Sequence, residues 1–177
     1  ELQKRLSESC VDFALLDDAD DCVGTGFLAT PFLLDVAEAL YGAEAALRIL
    51  MQTKQPSWLF EVEQGATAIW ENWFAFSEQG EPQKCSFDHY AFGCVDEWIC
   101  RRLCGIGSDT PGFSHIQIRP MDNVPFDWSR TFVCEAGAIT VTRTGETLSV
   151  TIPPNTTGTV SWHGNTCEIG SGSHTFG

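Results

Sequence analysis

The sequence predicts an α+β, multi-domain protein, with a helical part over residues 1–107 followed by an antiparallel β-sandwich over residues 113–177. Three observations carry this reading. Apolar residues recur with the 3.6-residue period of a buried helix face as far as Gly105, and with the two-residue period of half-buried strands beyond it. Between the two regimes lies Gly105-Ile106-Gly107-Ser108-Asp109-Thr110-Pro111-Gly112, rich in residues that end helices and turn the chain. A block of helices followed by a block of strands, with no βαβ alternation, implies separate layers or domains.

The elements follow in order. Residues 1–16 alternate apolar and charged positions in a helical manner, and Asp17 to Asp21 form an acidic turn. Thr30-Pro31 reads as a helix start, with Thr30 as N-cap and Pro31 at the first helical position. Leu33, Val36, Ala37 and Leu40 fall on one face, as do Ala43, Ala46, Leu47 and Leu50 after Gly42. The small alanine face of the second stretch would let a neighbouring helix approach closely.

After Pro56 the sequence predicts a short helix over residues 57–63, then a loop opened by Gly65 that leads into Trp70-Glu71. Ala91, Cys94, Val95, Trp98 and Ile99 give one more helical stripe, expected to end at Gly105. Beyond the break, strands are marked by Ile116 and Ile118, by Ile139 and Val141, by Leu148, Val150 and Ile152, and by Val160 and Trp162. Thr144-Gly145-Glu146 fits a hairpin turn, and Pro153-Pro154-Asn155 fits a second connection between strands.

Composition narrows the function. With 177 residues and 43% apolar content the chain can bury a sizeable core. Ten basic residues against 24 acidic ones give a net charge of -14, which argues against nucleic acid as a partner because no basic patch exists to displace counterions. A neutral ligand suits this surface better. No apolar run reaches the length of a membrane span and no basic-then-apolar leader opens the chain, so no membrane partner is expected. The absence of G-x-G-x-x-G, P-loop and G-x-S-x-G elements removes support for a nucleotide cofactor or serine-hydrolase chemistry, and no cofactor is expected.

The eight cysteines sit at irregular spacings, which favours buried free thiols acting as small hydrophobes over a disulfide framework. Free thiols fit a reducing compartment and favour the cytoplasm. Cys100 and Cys104 lie one helical turn apart but lack a matching pair elsewhere, so no metal site is expected.

The stretch with the most chemistry in it is Trp70-Glu71-Asn72-Trp73, which places one carboxylate between two indoles. A carboxylate is costly to desolvate, whereas an indole offers an apolar face and an N–H, so the combination suits a sugar cleft in which the acid moves a proton. Trp70 and Trp73 either stack on the sugar or form core on both sides of the loop; Trp58 and Trp98 read as core. Further on, His89 can donate to a sugar hydroxyl from one ring nitrogen while the protein holds the other.

Several of these elements resemble, in the same order, those of glycoside hydrolase family 78, the α-L-rhamnosidases. Thr67-Ala68-Ile69-Trp70-Glu71-Asn72-Trp73 is similar to that family's T-x-W-E-x-W element, and Asp88-His89-Tyr90-Ala91-Phe92-Gly93 to its N-H-Y-A-F-G element. Thr25-Gly26-Phe27-Leu28-Ala29-Thr30-Pro31, Pro56-Ser57-Trp58, Ile152-Pro153-Pro154-Asn155-Thr156-Thr157 and Glu168-Ile169-Gly170-Ser171-Gly172 resemble further family elements, so the likeness covers residues 24–176. Asn155-Thr156-Thr157 is also a formal glycosylation sequon, but its place in the family element makes turn hydrogen bonds the expected role.

The resemblance implies the last helices of an (α/α)6 barrel followed by a C-terminal antiparallel β-sandwich. It implies an inverting α-L-rhamnosidase acting on a rhamnose-containing glycoside, with Glu71 as general base and His89 as a substrate contact. The family's general acid lies upstream of these elements. The chain also begins with Glu1 and has room before Gly105 for only about four or five helices of ordinary length, so it reads as the C-terminal portion of a longer protein, inactive alone. A barrel sector would leave an apolar face to be covered by the missing N-terminal part or by a partner chain.

Three departing positions and two alternatives accompany the resemblance. Ala68 and Asn72 stand where relatives commonly have Thr and Arg. Asp88 stands where they have an amide, and if it pointed inward it would raise a carboxylate pKa near Glu71. The alternatives are a non-catalytic carbohydrate-binding or structural remnant and an inverting glycosidase of another (α/α)6 family.

Overall fold

The computed structural model describes residues 21–77 and 79–177, so the expected helix over residues 1–16, most of the acidic turn and Cys10 lie outside the described residues. The chain divides into two compact units that part between Asp96 and Glu97. That division falls earlier than the Gly105–Gly112 break, and residues 97–107 group with the strands. The reason is local: Ile106–Ser108 forms a strand, β1, that pairs with the next one.

In the first unit, α1 spans Thr30–Tyr41 and α2 spans Ala43–Leu50. Gly42 joins them with φ 86, a left-handed value that favours glycine. Thr30 proves to be inside the first turn of α1 and not its N-cap: Ala29 holds the cap position without a side-chain bond. The Thr30 hydroxyl instead donates back to the Gly26 carbonyl at 2.9 Å and pairs with the Thr25 hydroxyl at 2.7 Å. Leu33, Leu34 and Ala37 of α1 are buried, as are Ala45, Ala46, Leu47, Ile49 and Leu50 of α2. The third helix, α3, spans Trp58–Glu63, and the Ser57 hydroxyl caps it by accepting from the Phe60 N–H at 3.1 Å.

The expected stripe after residue 91 forms a helix of mixed winding. A 3-10 turn at Ala91–Cys94 runs into a short α segment, α4, at Val95–Trp98, then into a π segment at Ile99–Leu103. Each change of winding rotates the faces away from a 3.6-residue register. Phe92, Trp98, Cys100, Leu103 and Cys104 are therefore the buried residues, and the stripe anticipated from Ala91, Cys94 and Val95 is only half-buried. Gly105 ends the helix with φ 68, as its position leads one to expect.

The second unit is built on one six-stranded sheet. After β1 come β2 at His115–Ile118, β3 at Trp128–Cys134, β4 at Gly137–Thr144, β5 at Thr147–Trp162 and β6 at Asn165–Phe176. Ladders are antiparallel except where β2 runs parallel to β5, in register His115 with Thr157 through Ile118 with Val160. This pair departs from the all-antiparallel expectation. The hairpin at Thr144-Gly145-Glu146 joins β4 to β5 as anticipated.

The anticipated connection at Pro153-Pro154-Asn155 is instead a bulge within the 16-residue β5. Its pairing with β6 is interrupted between Ile152 and Thr157, because two prolines supply no N–H to the ladder. Asn155 takes φ 61 there, and the buried Thr156 hydroxyl donates to the Pro153 carbonyl at 2.7 Å, the turn bond expected of this element. The bulge lets β5 change partners, with β4 beside Thr147–Thr151 and β2 beside Thr157–Val160. Every strand position anticipated from alternation is buried: Ile116, Ile118, Ile139, Val141, Leu148, Val150, Ile152, Val160 and Trp162. No such pattern announces β3 and β6, which expose most of one face or both.

Candidate active site

The candidate residues are positioned by packing in the first unit. Trp70 and Trp73 are both buried, at 4% and 6% exposure, so neither offers a free face to a sugar. Trp70 packs against Phe76 and Phe87, with ring centroids 5.2 and 5.4 Å away. Trp73 stacks on Phe92 at 4.0 Å, meets Trp58 edge-on at 5.3 Å and donates its indole N–H to the Thr25 carbonyl at 2.7 Å. Trp58 in turn donates to the Phe92 carbonyl at 2.9 Å. With an indole locked into the core on either side, the intervening Glu71 stays half-exposed.

Glu71 is held from the 86–89 segment. Its N–H donates to the Ser86 carbonyl at 3.0 Å, and its carboxylate Oε2 accepts from the Ser86 N–H at 2.7 Å. The same two segments meet again where the His89 N–H donates to the Ile69 carbonyl at 2.8 Å. Both candidates thus stand on one pair of backbone segments. The exposed Asp88 belongs to a tight turn there, its N–H donating to the Ser86 hydroxyl at 3.2 Å. Asn72 closes another, its side-chain oxygen accepting from the Phe74 N–H at 2.9 Å.

The His89 ring lies against Phe27, centroids 5.0 Å apart and planes 14° apart, and against Tyr90, 5.2 Å and 12°. Its Nδ1 accepts from the Ala91 N–H at 3.3 Å, which in the neutral ring puts the proton on Nε2. His89 is half-buried, while Tyr90 and Leu28 are 89% and 92% exposed. The sequence offered no reason to single out Phe27 or Tyr90. The available signal was that each sits within one of the family-like elements, Thr25–Pro31 and Asp88–Gly93.

One further group borders Glu71, and another borders the preceding Trp70 peptide. The Cys85 thiol is pushed above the usual thiol range by burial and by the negative charge of Glu71, which keeps it protonated and a poor nucleophile. Glu61 on α3 is 1% exposed, and its Oε2 accepts from the Trp70 N–H at 3.1 Å. Burial raises its pKa from 4.5 to about 7 against the opposing effect of that hydrogen bond. Glu61 went unnoticed in the sequence although it falls three residues after Trp58, on the buried face of a helix. The described cysteines are all free thiols; of these only Cys100 and Cys104 are buried, which corrects the expectation of generally buried thiols. No group of three His, Cys, Asp or Glu side chains is arranged to hold a metal among the described residues.

Residues 8–103 match the model of the bacterial alpha-L-rhamnosidase 6 hairpin glycosidase domain. An alpha-L-rhamnosidase of Streptomyces avermitilis is 33% identical over 192 residues, covering 92% of this chain and 18% of that protein. One from Formosa agariphila is 34% identical over 157 residues, covering 80% of this chain and 16% of that protein. Among solved structures, native α-L-rhamnosidase from Aspergillus terreus superposes with a TM-score of 0.83 at 28% identity, over 98% of this chain and 21% of the other. The Streptomyces avermitilis enzyme complexed with L-rhamnose gives 0.80 at 30% identity, over 99% and 20%. The chain therefore spans only about a fifth of the length of these relatives.

Proposed function

Because this chain belongs to the bacterial α-L-rhamnosidase family of six-hairpin glycosidases, we propose that it is the C-terminal portion of an inverting α-L-rhamnosidase that releases terminal α-L-rhamnose from glycosides. In this reading the first unit is the last sector of an (α/α)6 barrel, and the six-stranded sheet belongs to its C-terminal β-sandwich domain. Glu71 is the general base and His89 a substrate contact. The general acid comes from the parent protein outside these residues.

The observation that carries the proposal is the joint anchoring of Glu71 and His89 on the paired 69–71 and 86–89 segments. Ser86 holds Oε2 of Glu71, leaving Oε1 to take a proton from water as that water attacks the anomeric carbon. The bond from that carbon to the leaving oxygen breaks on the opposite face, and the upstream acid protonates the oxygen. A half-exposed base suits the step, because the water must reach it. His89, with Nδ1 engaged by the Ala91 N–H, has Nε2–H available for a sugar hydroxyl.

The test is hydrolysis of an aryl α-L-rhamnoside by the complete enzyme. Glu71→Gln should lower turnover by about a thousandfold while rhamnose binding, followed by calorimetry, persists. Undiminished turnover would sink the assignment. His89→Ala should weaken rhamnose binding by about tenfold, the worth of one hydrogen bond to a buried hydroxyl. The 177 residues alone are expected to show little or no hydrolysis, since leaving-group protonation is missing.

A further inference from the structure

The backbone around Glu71 is tethered on two sides. Ile69 and Glu71 direct a carbonyl and an N–H to the 86–89 segment, whereas the N–H of Trp70 between them goes to Oε2 of Glu61 at 3.1 Å. Among the described residues no strand borders that second side, so a side chain takes the place of a ladder partner. Glu61 is suited to the task by its anchorage: it rides on α3, whose start is fixed by the Ser57 cap and by the buried Trp58. The site around it is buried. Glu61 is 1% exposed, Trp70 4%, and Oε1 of Glu61 has no hydrogen-bond partner among the described residues.

An apolar residue of similar size would avoid burying a carboxyl with an unpartnered oxygen, a considerable cost. What the carboxyl supplies and the apolar residue cannot is an acceptor for the Trp70 N–H. We propose that Glu61 is a positioning residue for Glu71, fixing through the Trp70 peptide the stretch of backbone from which the base projects. This rests on the reading of Glu71 as general base. It adds a second tether, from α3, to the one supplied by Ser86. Burial that raises the Glu61 pKa to about 7 fits a carboxyl held for its acceptor oxygen and not for its charge.

The experiment compares three variants of the complete enzyme on an aryl α-L-rhamnoside. Glu61→Met removes the acceptor at similar volume and should lower kcat by about tenfold or more with KM within about twofold, as expected of a misplaced base. Glu61→Gln keeps a carbonyl in place of Oε2 and should restore kcat to within about threefold of wild type. Glu71→Gln is assayed beside them. If it is inactive while folded Glu61→Met turns over like wild type, the positioning role is overturned and the base reading stands. If Glu71→Gln keeps full turnover, the base reading fails and takes this proposal with it. A Glu61→Gln enzyme as impaired as Glu61→Met also overturns the proposal, since the acceptor alone would not then suffice. Should Glu61→Met fail to fold, Glu61→Asp, which withdraws the acceptor by one methylene, replaces it: lowered kcat beside an active Glu61→Gln supports the proposal, and wild-type kcat overturns it.

Discussion

Glu71 and Ser86 exchange two hydrogen bonds, N–H to carbonyl at 3.0 Å and carboxylate Oε2 to N–H at 2.7 Å, so one residue fixes both the backbone and the side chain of the candidate base. The second bond uses the backbone of Ser86, and its identity as serine is incidental to it. Ser86→Ala should therefore leave turnover of the complete enzyme within about threefold of wild type. Ser86→Pro deletes the N–H, and a hydrogen bond to a charged group is worth roughly 1.5–3 kcal/mol. The expected loss in kcat is about 10–100-fold, read from steady-state kinetics on an aryl α-L-rhamnoside.

Glu61 predicts a pH dependence of stability. Its folded-state pKa of about 7 lies above the ordinary 4.5, so the folded state binds its proton more tightly than the unfolded state. The stability associated with this group is fully present below pH 4.5 and is lost as pH rises through about 7, a total of about 3 kcal/mol. Glu61→Gln does not titrate and should lack this decline. Melting curves of both proteins between pH 4.5 and 8 should show the stability of Glu61→Gln gaining on wild type as pH rises; parallel pH profiles would contradict it.

Trp73 should matter for stability more than for sugar contact, since it is buried against Phe92 and Trp58 and bonded to the Thr25 carbonyl. Trp73→Phe keeps an aromatic ring and loses the indole donor, at a cost of about 1–3 kcal/mol. Trp73→Ala also leaves a cavity and should cost about 3–5 kcal/mol. Chemical denaturation followed by circular dichroism would order the two variants.

Gly105 leaves the helix with φ 68, and a Cβ there would collide with the Arg119 carbonyl and the Pro120 nitrogen. The chains are that close because the Arg119 N–H donates to the Gly105 carbonyl at 2.8 Å. Both contacts are backbone and cannot swing aside. Gly105→Ala should cost about 4 kcal/mol or more, or yield no folded protein, as judged by soluble yield and melting temperature.

The sequence was most legible where one physical rule acts alone. Ile139 with Val141, and Leu148 with Val150 and Ile152, announce their strands because one face of each is buried. β6 carries almost no buried residue, so its twelve-residue run is set by ladder bonds to β5 that leave no apolar alternation to read. The anticipated connection at Pro153-Pro154 was the right place for a disturbance but the wrong kind, because proline interrupts a ladder equally in a turn and in a bulge. Glu61 was invisible for a similar reason. A charged residue on a short helix reads as solvated until its surroundings are known.

Read alone, the sequence specifies the succession of helices then strands, a likeness to the α-L-rhamnosidases over residues 24–176, and Glu71 and His89 as candidate site residues. Periodicity and short motifs are local properties, and they survive without knowledge of neighbours. Tertiary packing is what makes Trp58, Trp70, Trp73 and Trp98 core, sets Phe27 and Tyr90 beside His89, and brings Glu61 and Ser86 onto the backbone around Glu71. Burial and hydrogen bonding depend on segments distant in the chain being brought together, and no single stretch of residues encodes them.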